Sequence, residues 1–216
     1  DDIKKFASNI SEEIPRLEKA IGGIRESLEN PLIASVDADI EVVIKHLEKL
    51  ETDLKSCSTK SRRLQEYQII LKIQVHDFET EAEAQLDLSM KMKLWNERAN
   101  WEHLRVQLLE TDFQELSVPE LESELQRYNK VVTLVTKALP SNAVVGVFKA
   151  SVEDFNPVLP IVVDLRSPAL KDRHWQQIYR MTGIDIQNSS GLTLKDVIDL
   201  QIASHQEGIS AVATAA

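Results

Sequence analysis

The side chains that carry chemistry in proteins are all present in this sequence, but not at working spacings. A phosphate-binding loop needs G-x-x-x-x-G-K-[ST], because glycine backbone must come close to the phosphates and the lysine must reach the outer ones. Gly146-Val147-Phe148-Lys149-Ala150-Ser151 holds a single glycine and does not meet that pattern. The five histidines, His46, His76, His103, His174 and His205, are scattered, with neither an H-E-x-x-H pair nor paired cysteines to complete a metal set. They read as surface or core histidines. Cys57 is the one cysteine, so no internal disulfide forms and reducing surroundings are expected. Carboxylates abound, 35 Asp and Glu against 25 Lys and Arg, yet in so acidic a chain a catalytic dyad cannot be told from a solvated helix face. The sequence therefore assigns no catalytic, cofactor-binding or metal-ligating residue.

The elements that would position any such group are helices. Of 216 residues 43% are hydrophobic and 28% charged, with only six Gly and seven Pro, enough apolar material for a core and little of the punctuation that β proteins need. The expected class is all-α, an elongated multi-helix stack of antiparallel helices and helical hairpins. A formal net charge of -10 argues against a nucleic-acid footprint. No run approaches the roughly 18 apolar residues of a membrane span, and Asp1-Asp2 lacks the basic start of a signal peptide. A soluble, intracellular chain with no nucleic-acid and no membrane partner is expected.

Ile14, Leu17, Ile21, Ile24 and Leu28 alternate by three and four, which predicts one amphipathic helix, with Ser11 as its cap and Pro15 in its first turn. Asn30-Pro31 breaks it. Ile33, Val36, Ile40, Val43, Leu47, Leu50 and Leu54 then keep a three-four alternation of coiled-coil grade. Two readings follow, a hairpin packed within the chain and one strand of an intermolecular coil; the short break favours the hairpin. The polar cluster Ser56 to Lys60 is expected to end that helix, so that residues 1–56 form an N-terminal hairpin and 57–216 a second segment. Leu64, Tyr67, Leu71, Val75 and Phe78 predict the next helix. Thr80 with Glu83 starts another, running through Leu88, Trp95 and Trp101 to Leu108, and Ser117 with Glu120 repeats the capping pattern before a helix that ends at Leu139-Pro140. Ser141 or Asn142 caps the run to Phe155. After the break at Asn156-Pro157 and Pro160, Ile161 to Leu165 reads as a buried strand or a helical turn, and helix is preferred. Residues 181–191 read as a loop, with a short extended stretch at Ile184 to Ile186. Thr193 with Asp196 caps a last helix, and 203–216 reads as a small-residue helix interrupted in mid-element, so the sequence reads as a fragment.

Between these halves lies the most informative stretch. Ser167-Pro168 suits a helix start, since Ser accepts from an early N–H and Pro loses nothing in the first turn. Leu170, His174 and Ile178 then fall on one face with Trp175 beside them. On its own this describes an ordinary capped helix with His and Trp in a core.

The whole string Asp164-Leu165-Arg166-Ser167-Pro168-Ala169-Leu170-Lys171-Asp172-Arg173-His174-Trp175 resembles the L-(R/K)-x-x-A-L-K-x-R-H-W run in the linker region of dynein heavy chains, just ahead of their AAA+ motor ring. Arg62-Arg63-Leu64 with Tyr67-Gln68 and Leu71, then Leu94-Trp95, Trp101 and Phe113, is similar to that family's order of landmarks, as are Leu139 to Asn142 and Phe148 to Glu153. Ser167 departs from it, standing where Asn is common, and Asp172 stands where many axonemal members have Pro. Leu159-Pro160 ahead of the run leans toward the axonemal type. The structural motif is taken as Trp95, Trp101, Leu165, Arg166, Pro168, Ala169, Leu170, Lys171, Arg173, His174 and Trp175.

The resemblance implies that residues 57–216 belong to the early, tail-side part of the linker, a mechanical element that joins the tail to the ATPase ring and bends and straightens as the ring cycles. It implies as partners the AAA+ ring and tail of the same heavy chain, other dynein subunits, and microtubules through the parent chain. ATP and Mg would sit in the ring of that parent chain, with no cofactor in this fragment. A cytoplasmic, cytoskeletal location in the axoneme of a cilium or flagellum follows. Trp175 is expected as a core anchor and Arg173 as the residue that orders the corner after Pro168. The alternative is a free-standing, spectrin-like scaffold or coiled-coil module that binds through the Ile33 to Leu54 seam. Internal repeats would support it, and none is visible.

Overall fold

A computed structural model of the chain describes residues 2–216. Among the described residues there are nine α-helices and no strand, and the only β-type pairing is an isolated antiparallel bridge between Asp112 and Thr193. The protein is all-α. It divides into two compact units, one of Asp1–Asn96 with Val135–Val144 and the other of Glu97–Leu134 with Val145–Ala216.

The first unit is built on a hairpin of α1 (Asp2–Leu28) and α2 (Ile40–Ile70). Ile10, Leu17, Ile21, Ile24 and Leu28 are buried on α1, and Val43, Leu47, Leu50 and Leu54 on α2. The three-four spacing places each set in one stripe, and the two stripes close on each other. The seam is therefore internal to the chain. Asn30 turns the corner by accepting from the Leu32 N–H at 3.0 Å, leading into a 3-10 turn at Pro31–Ala34. Asp39 caps α2 through the N–H groups of Glu41 and Val42. The end of α1 leaves carbonyls without helical partners. His46 Nε2 reaches the Ser27 carbonyl at 3.2 Å and Lys91 Nζ that of Leu28 at 2.9 Å, a cation placed at the negative end of a helix. Lys91 lies on α3 (Glu79–Glu110), whose first part carries Ala84, Leu88, Leu94 and Trp95 into this core.

Five expectations about this unit need correction. Helix α1 starts at Asp2, so Ser11 is interior and returns its hydroxyl to the Ala7 carbonyl, and Pro15 is interior as well. An interior proline typically costs about 3 kcal/mol, which the continuous apolar stripe of α1 outweighs. Ile33 and Val36 lie outside α2, in the turn region. The polar cluster Ser56 to Lys60 does not end α2: Thr59 bonds back to the Lys55 carbonyl, while Cys57, Ser58 and Ser61 are buried as small side chains, Ser61 donating to Glu81 at 2.6 Å. Helix α2 instead stops at Ile70, with Lys72 at φ 53, so Leu71, Val75 and Phe78 do not continue a helical face. His76 pins this connection by donating its N–H to Gln68 and accepting from Gln65 at its carbonyl, with its ring 2.8 Å from Glu18. The helix expected to start at Thr80 begins one residue earlier.

The second unit contains the rest of α3, most of α4 (Val118–Ala138) and α5 (Ala143–Phe155), then α6 (Val158–Leu165), α7 (Asp172–Thr182), α8 (Leu194–Asp199) and α9 (Gln206–Ala215). Residues 161–165 are helical as preferred, Pro160 sitting in the first turn of α6 where its missing N–H costs nothing. Trp101 is the hub of the aromatic core, 5.1 Å from the Tyr128 ring and edge-on to Phe155 at 5.5 Å, its indole N–H donated to Ser151 Oγ at 2.8 Å. Asn129 and Asn156 exchange side-chain amide bonds at 2.8 and 3.1 Å, which fixes the α5–α6 break against α4. Helix α9 packs on α6 and α7. Gly208 permits the approach: a Cβ there would lie 2.6 Å from Met181 Sδ. Ile184 to Ile186, expected as extended, is a turn region in which Ile186 is buried.

The hairpin predicts a phase-specific loss of stability. Leu47→Ala should cost about 2–5 kcal/mol in urea unfolding. Val42→Ala, at a position 55% exposed on the same helix, should change it by less than about 0.5 kcal/mol.

Candidate functional site

Three stretches of the second unit meet at residues 111–115, where α3 gives way to a 3-10 turn at Phe113–Glu115. Asp112 shapes the turn, its carboxylate accepting from the Gln114 N–H at 2.9 Å and the Gly191 N–H at 3.2 Å. Phe113 is fully buried. Its N–H is donated to the Leu192 carbonyl at 2.7 Å, and the Leu194 N–H to the Thr111 carbonyl at 3.1 Å, which makes the Asp112–Thr193 bridge. The carbonyls of Phe113 and Gln114 then both accept from Arg166 Nη1, at 2.9 and 2.6 Å. A guanidinium held by two carbonyls is a charge-assisted contact, stronger than a neutral pair.

Arg166 is itself fixed by the end of α6. It is the C-cap residue, its backbone N–H bonded to Val162 at 2.9 Å, and Leu165 before it is buried with Ile161 and Val162. Burial pushes the carboxyl of Asp164, on the last turn of α6, above the ordinary carboxylate range.

Residues 166–171 form an irregular turn, and α7 begins four residues later than Ser167-Pro168 suggests. Ser167 Oγ accepts from the Ala169 N–H and its carbonyl from the Leu170 N–H, a local turn that competes with helix. Pro168, Ala169 and Lys171 are exposed and Leu170 half-buried. The cap of α7 is made from inside the helix: the Lys171 N–H is donated to His174 Nδ1 at 3.0 Å. His174 is 5% exposed, and Ile178 lies buried one turn on. Arg173 Nε lies 3.1 Å from the other ring nitrogen, Nε2, a contact between neighbours on α7 and not one to the corner.

Within the R-H-W run His174 enters the core on the expected face, whereas Trp175 is not the core anchor expected, and the corner is tied by Arg166 to residues 113–114. Trp175 is half-buried and lines an open groove with Asp172, Tyr179 and Asp185, Tyr179 being 54% exposed. Trp95 and Trp101 are core residues of the first and second units respectively, Trp95 donating to the Ile33 carbonyl at 3.0 Å. The structure brings Leu165, Arg166 and His174 into one unit with Trp101, Phe113 and Thr193, and adds Asp112, which the sequence did not mark. The Thr193–Asp196 capping box was legible; its bonds hold the Asp196 carboxyl below its ordinary range.

Gly146 to Ser151 lies inside α5, where Lys149 approaches Glu153 and Ser151 serves Trp101. Among the described residues no three His, Cys, Asp or Glu side chains group as a metal site. No helix there is long and apolar enough to cross a membrane.

The family profile described as "Dynein heavy chain, N-terminal region 2" matches residues 82–216. The chain is 27% identical over 201 residues to Dynein axonemal heavy chain 6 of Homo sapiens, covering 93% of this chain and 5% of that one. It is 26% identical over 119 residues to the Dynein-1-beta heavy chain, flagellar inner arm I1 complex, of Chlamydomonas reinhardtii, covering 55% of this chain and 3% of that one. A similar match, 27% over 124 residues, is to Dynein axonemal heavy chain 2 of Homo sapiens, with 56% and 3% covered. The chain spans about a twentieth of the length of the first of these relatives.

Arg166→Ala should destabilise the chain by about 2–3 kcal/mol in urea unfolding, and Arg173→Ala by no more than about 0.5 kcal/mol. Trp101→Ala should cost about 3–5 kcal/mol and Trp175→Ala less than half of that. For Asp164 the sign is fixed by its raised folded value. Its group favours the fold fully below the unfolded pKa near 3.8, and that favour is lost as pH rises through the folded value. Asp164→Asn should therefore raise the melting temperature at pH 7 and leave it unchanged at pH 3.

Proposed function

The chain belongs to the dynein heavy chain family, as a segment of the axonemal type, and we propose that it is a mechanical part of the linker in the parent motor. In this reading it joins the tail to the AAA+ ring and passes on the bending and straightening driven by ATP turnover in that ring. Its partners are then the ring and tail of its own heavy chain, other subunits of the complex, and microtubules through the parent chain, within the axoneme of a cilium or flagellum. ATP and Mg bind in the ring of the parent, and this segment contributes no catalytic group.

The observation that supports the reading is the corner at Arg166. The run that resembles the linker motif folds as a connection between α6 and α7 whose arginine is tied to the carbonyls of Phe113 and Gln114. A load on α6 is thereby handed to a loop anchored by the buried Phe113 rather than absorbed by a free turn, which suits a lever and would be superfluous in a passive tether. The competing interaction module loses its binding surface, since Val43, Leu47, Leu50 and Leu54 are already buried against α1.

Arg166→Ala in the intact motor separates the two. The lever reading expects microtubule-stimulated ATP turnover to persist while gliding velocity falls several-fold. Unchanged velocity with a correctly folded variant would remove the corner from the power stroke.

A further inference from the structure

The turn between α6 and α7 carries a dipeptide that occurs nowhere else in the chain. Of the seven prolines only Pro168 follows a hydroxyl residue; the others follow Ile14, Asn30, Val118, Leu139, Asn156 and Leu159. Ser-Pro is the dipeptide that proline-directed protein kinases accept, because their substrate groove tolerates a residue without an N–H after the acceptor. This single instance falls in the irregular stretch 166–171, and not in a helix. Pro168 and Ala169 are exposed, and Ser167 lines an open groove of ≈ 410 Å³ with Arg166, Pro168, Asp164 and Pro119. Ser167 Oγ is held only by one long bond from the Ala169 N–H, at 3.3 Å. Exposed turns of this kind are where modifying enzymes gain access.

We propose that Ser167 is a phosphorylation site for a proline-directed kinase and that its phosphate releases the Arg166 lock on residues 113–114. In the transfer, Ser167 Oγ attacks the γ-phosphorus of ATP, the Oγ–P bond forms as the bond to ADP breaks, and the hydroxyl proton leaves to solvent through the kinase's base. The product carries about two negative charges and three strong acceptor oxygens one residue from Arg166. A phosphate oxyanion is a stronger acceptor for a guanidinium than a peptide carbonyl, so it draws Nη1 away from Phe113 and Gln114. Asp164, in the same groove, repels the new charge and adds to the disruption. The Phe113–Leu192 and Leu194–Thr111 bonds then lose the support of the adjoining carbonyls. This inference does not rest on the lever reading and holds for the isolated chain.

The test uses the folded 216-residue chain with Mg-ATP and a proline-directed kinase, read by peptide mass spectrometry and by amide hydrogen exchange. Phosphate is expected on Ser167, and its incorporation is expected to vanish in Ser167→Ala and to drop at least tenfold in Pro168→Ala. In the phosphorylated chain the Phe113 and Leu194 amides should exchange about tenfold faster, the loss expected for one charge-assisted bond, while the amides of the α1–α2 hairpin stay unchanged. Absence of phosphate on Ser167, under conditions that label a control substrate fully, would overturn the site. Full incorporation with unaltered exchange at Phe113 and Leu194 would overturn the release.

Discussion

The second unit depends on one loop, residues 111–115, whose buried residue needs partners for both of its backbone groups. Phe113 is completely buried, so its N–H and carbonyl must find partners inside the protein or be left at a cost of about 1–3 kcal/mol each. Helices cannot supply them, since α3 has ended. The partners come instead from two remote segments: residues 191–194, through backbone bonds that form the Asp112–Thr193 bridge, and Arg166, through its guanidinium. Satisfying this loop therefore fixes where α6 ends and where α8 begins. The corner at Arg166 is a consequence of that demand.

The first unit meets a simpler constraint by simpler means. Two apolar stripes close a hairpin, and the exposed carbonyls at its corner are covered by His46 and Lys91. Both units use the same device, a long basic or imidazole side chain brought from another helix to a backbone oxygen that secondary structure leaves unpaired. Within the second unit the device coincides with the stretch that resembles the dynein linker motif. That coincidence ties a family-level resemblance to a physical role for a particular residue, Arg166.

Much of the architecture was legible in the sequence because it rests on local rules. The stripes of α1 and α2, the aromatic positions Trp95 and Trp101, and the Thr193–Asp196 box follow from periodicity and capping chemistry. The misplaced ends have physical causes. Ser56 to Lys60 looks like a break, but Thr59 bonds back to the Lys55 carbonyl and Cys57, Ser58 and Ser61 fit a tight buried face, so α2 runs on to Ile70. Ser167-Pro168 looks like a helix start, but the hydroxyl closes a local turn and hands the cap to His174. The expected face of α7 is kept, with His174 and Ile178 buried, and Trp175 lies at its edge, half-buried, where periodicity places it beside the face and not at its centre. Asp112 and the backbone role of Phe113 were not legible, since they lie in bonds to residues more than fifty positions away in sequence.

The central claim is that Arg166 and Asp112 act on one shared loop, and a double-mutant cycle measures this most directly. Urea unfolding of Arg166→Ala, Asp112→Ala and the double variant yields their coupling free energy. The account predicts non-additivity of about 0.5–3 kcal/mol, the range for residues in one hydrogen-bonded network, because the first loss already loosens what the second would release. Additivity to within about 0.3 kcal/mol would show two independent contacts and would contradict it.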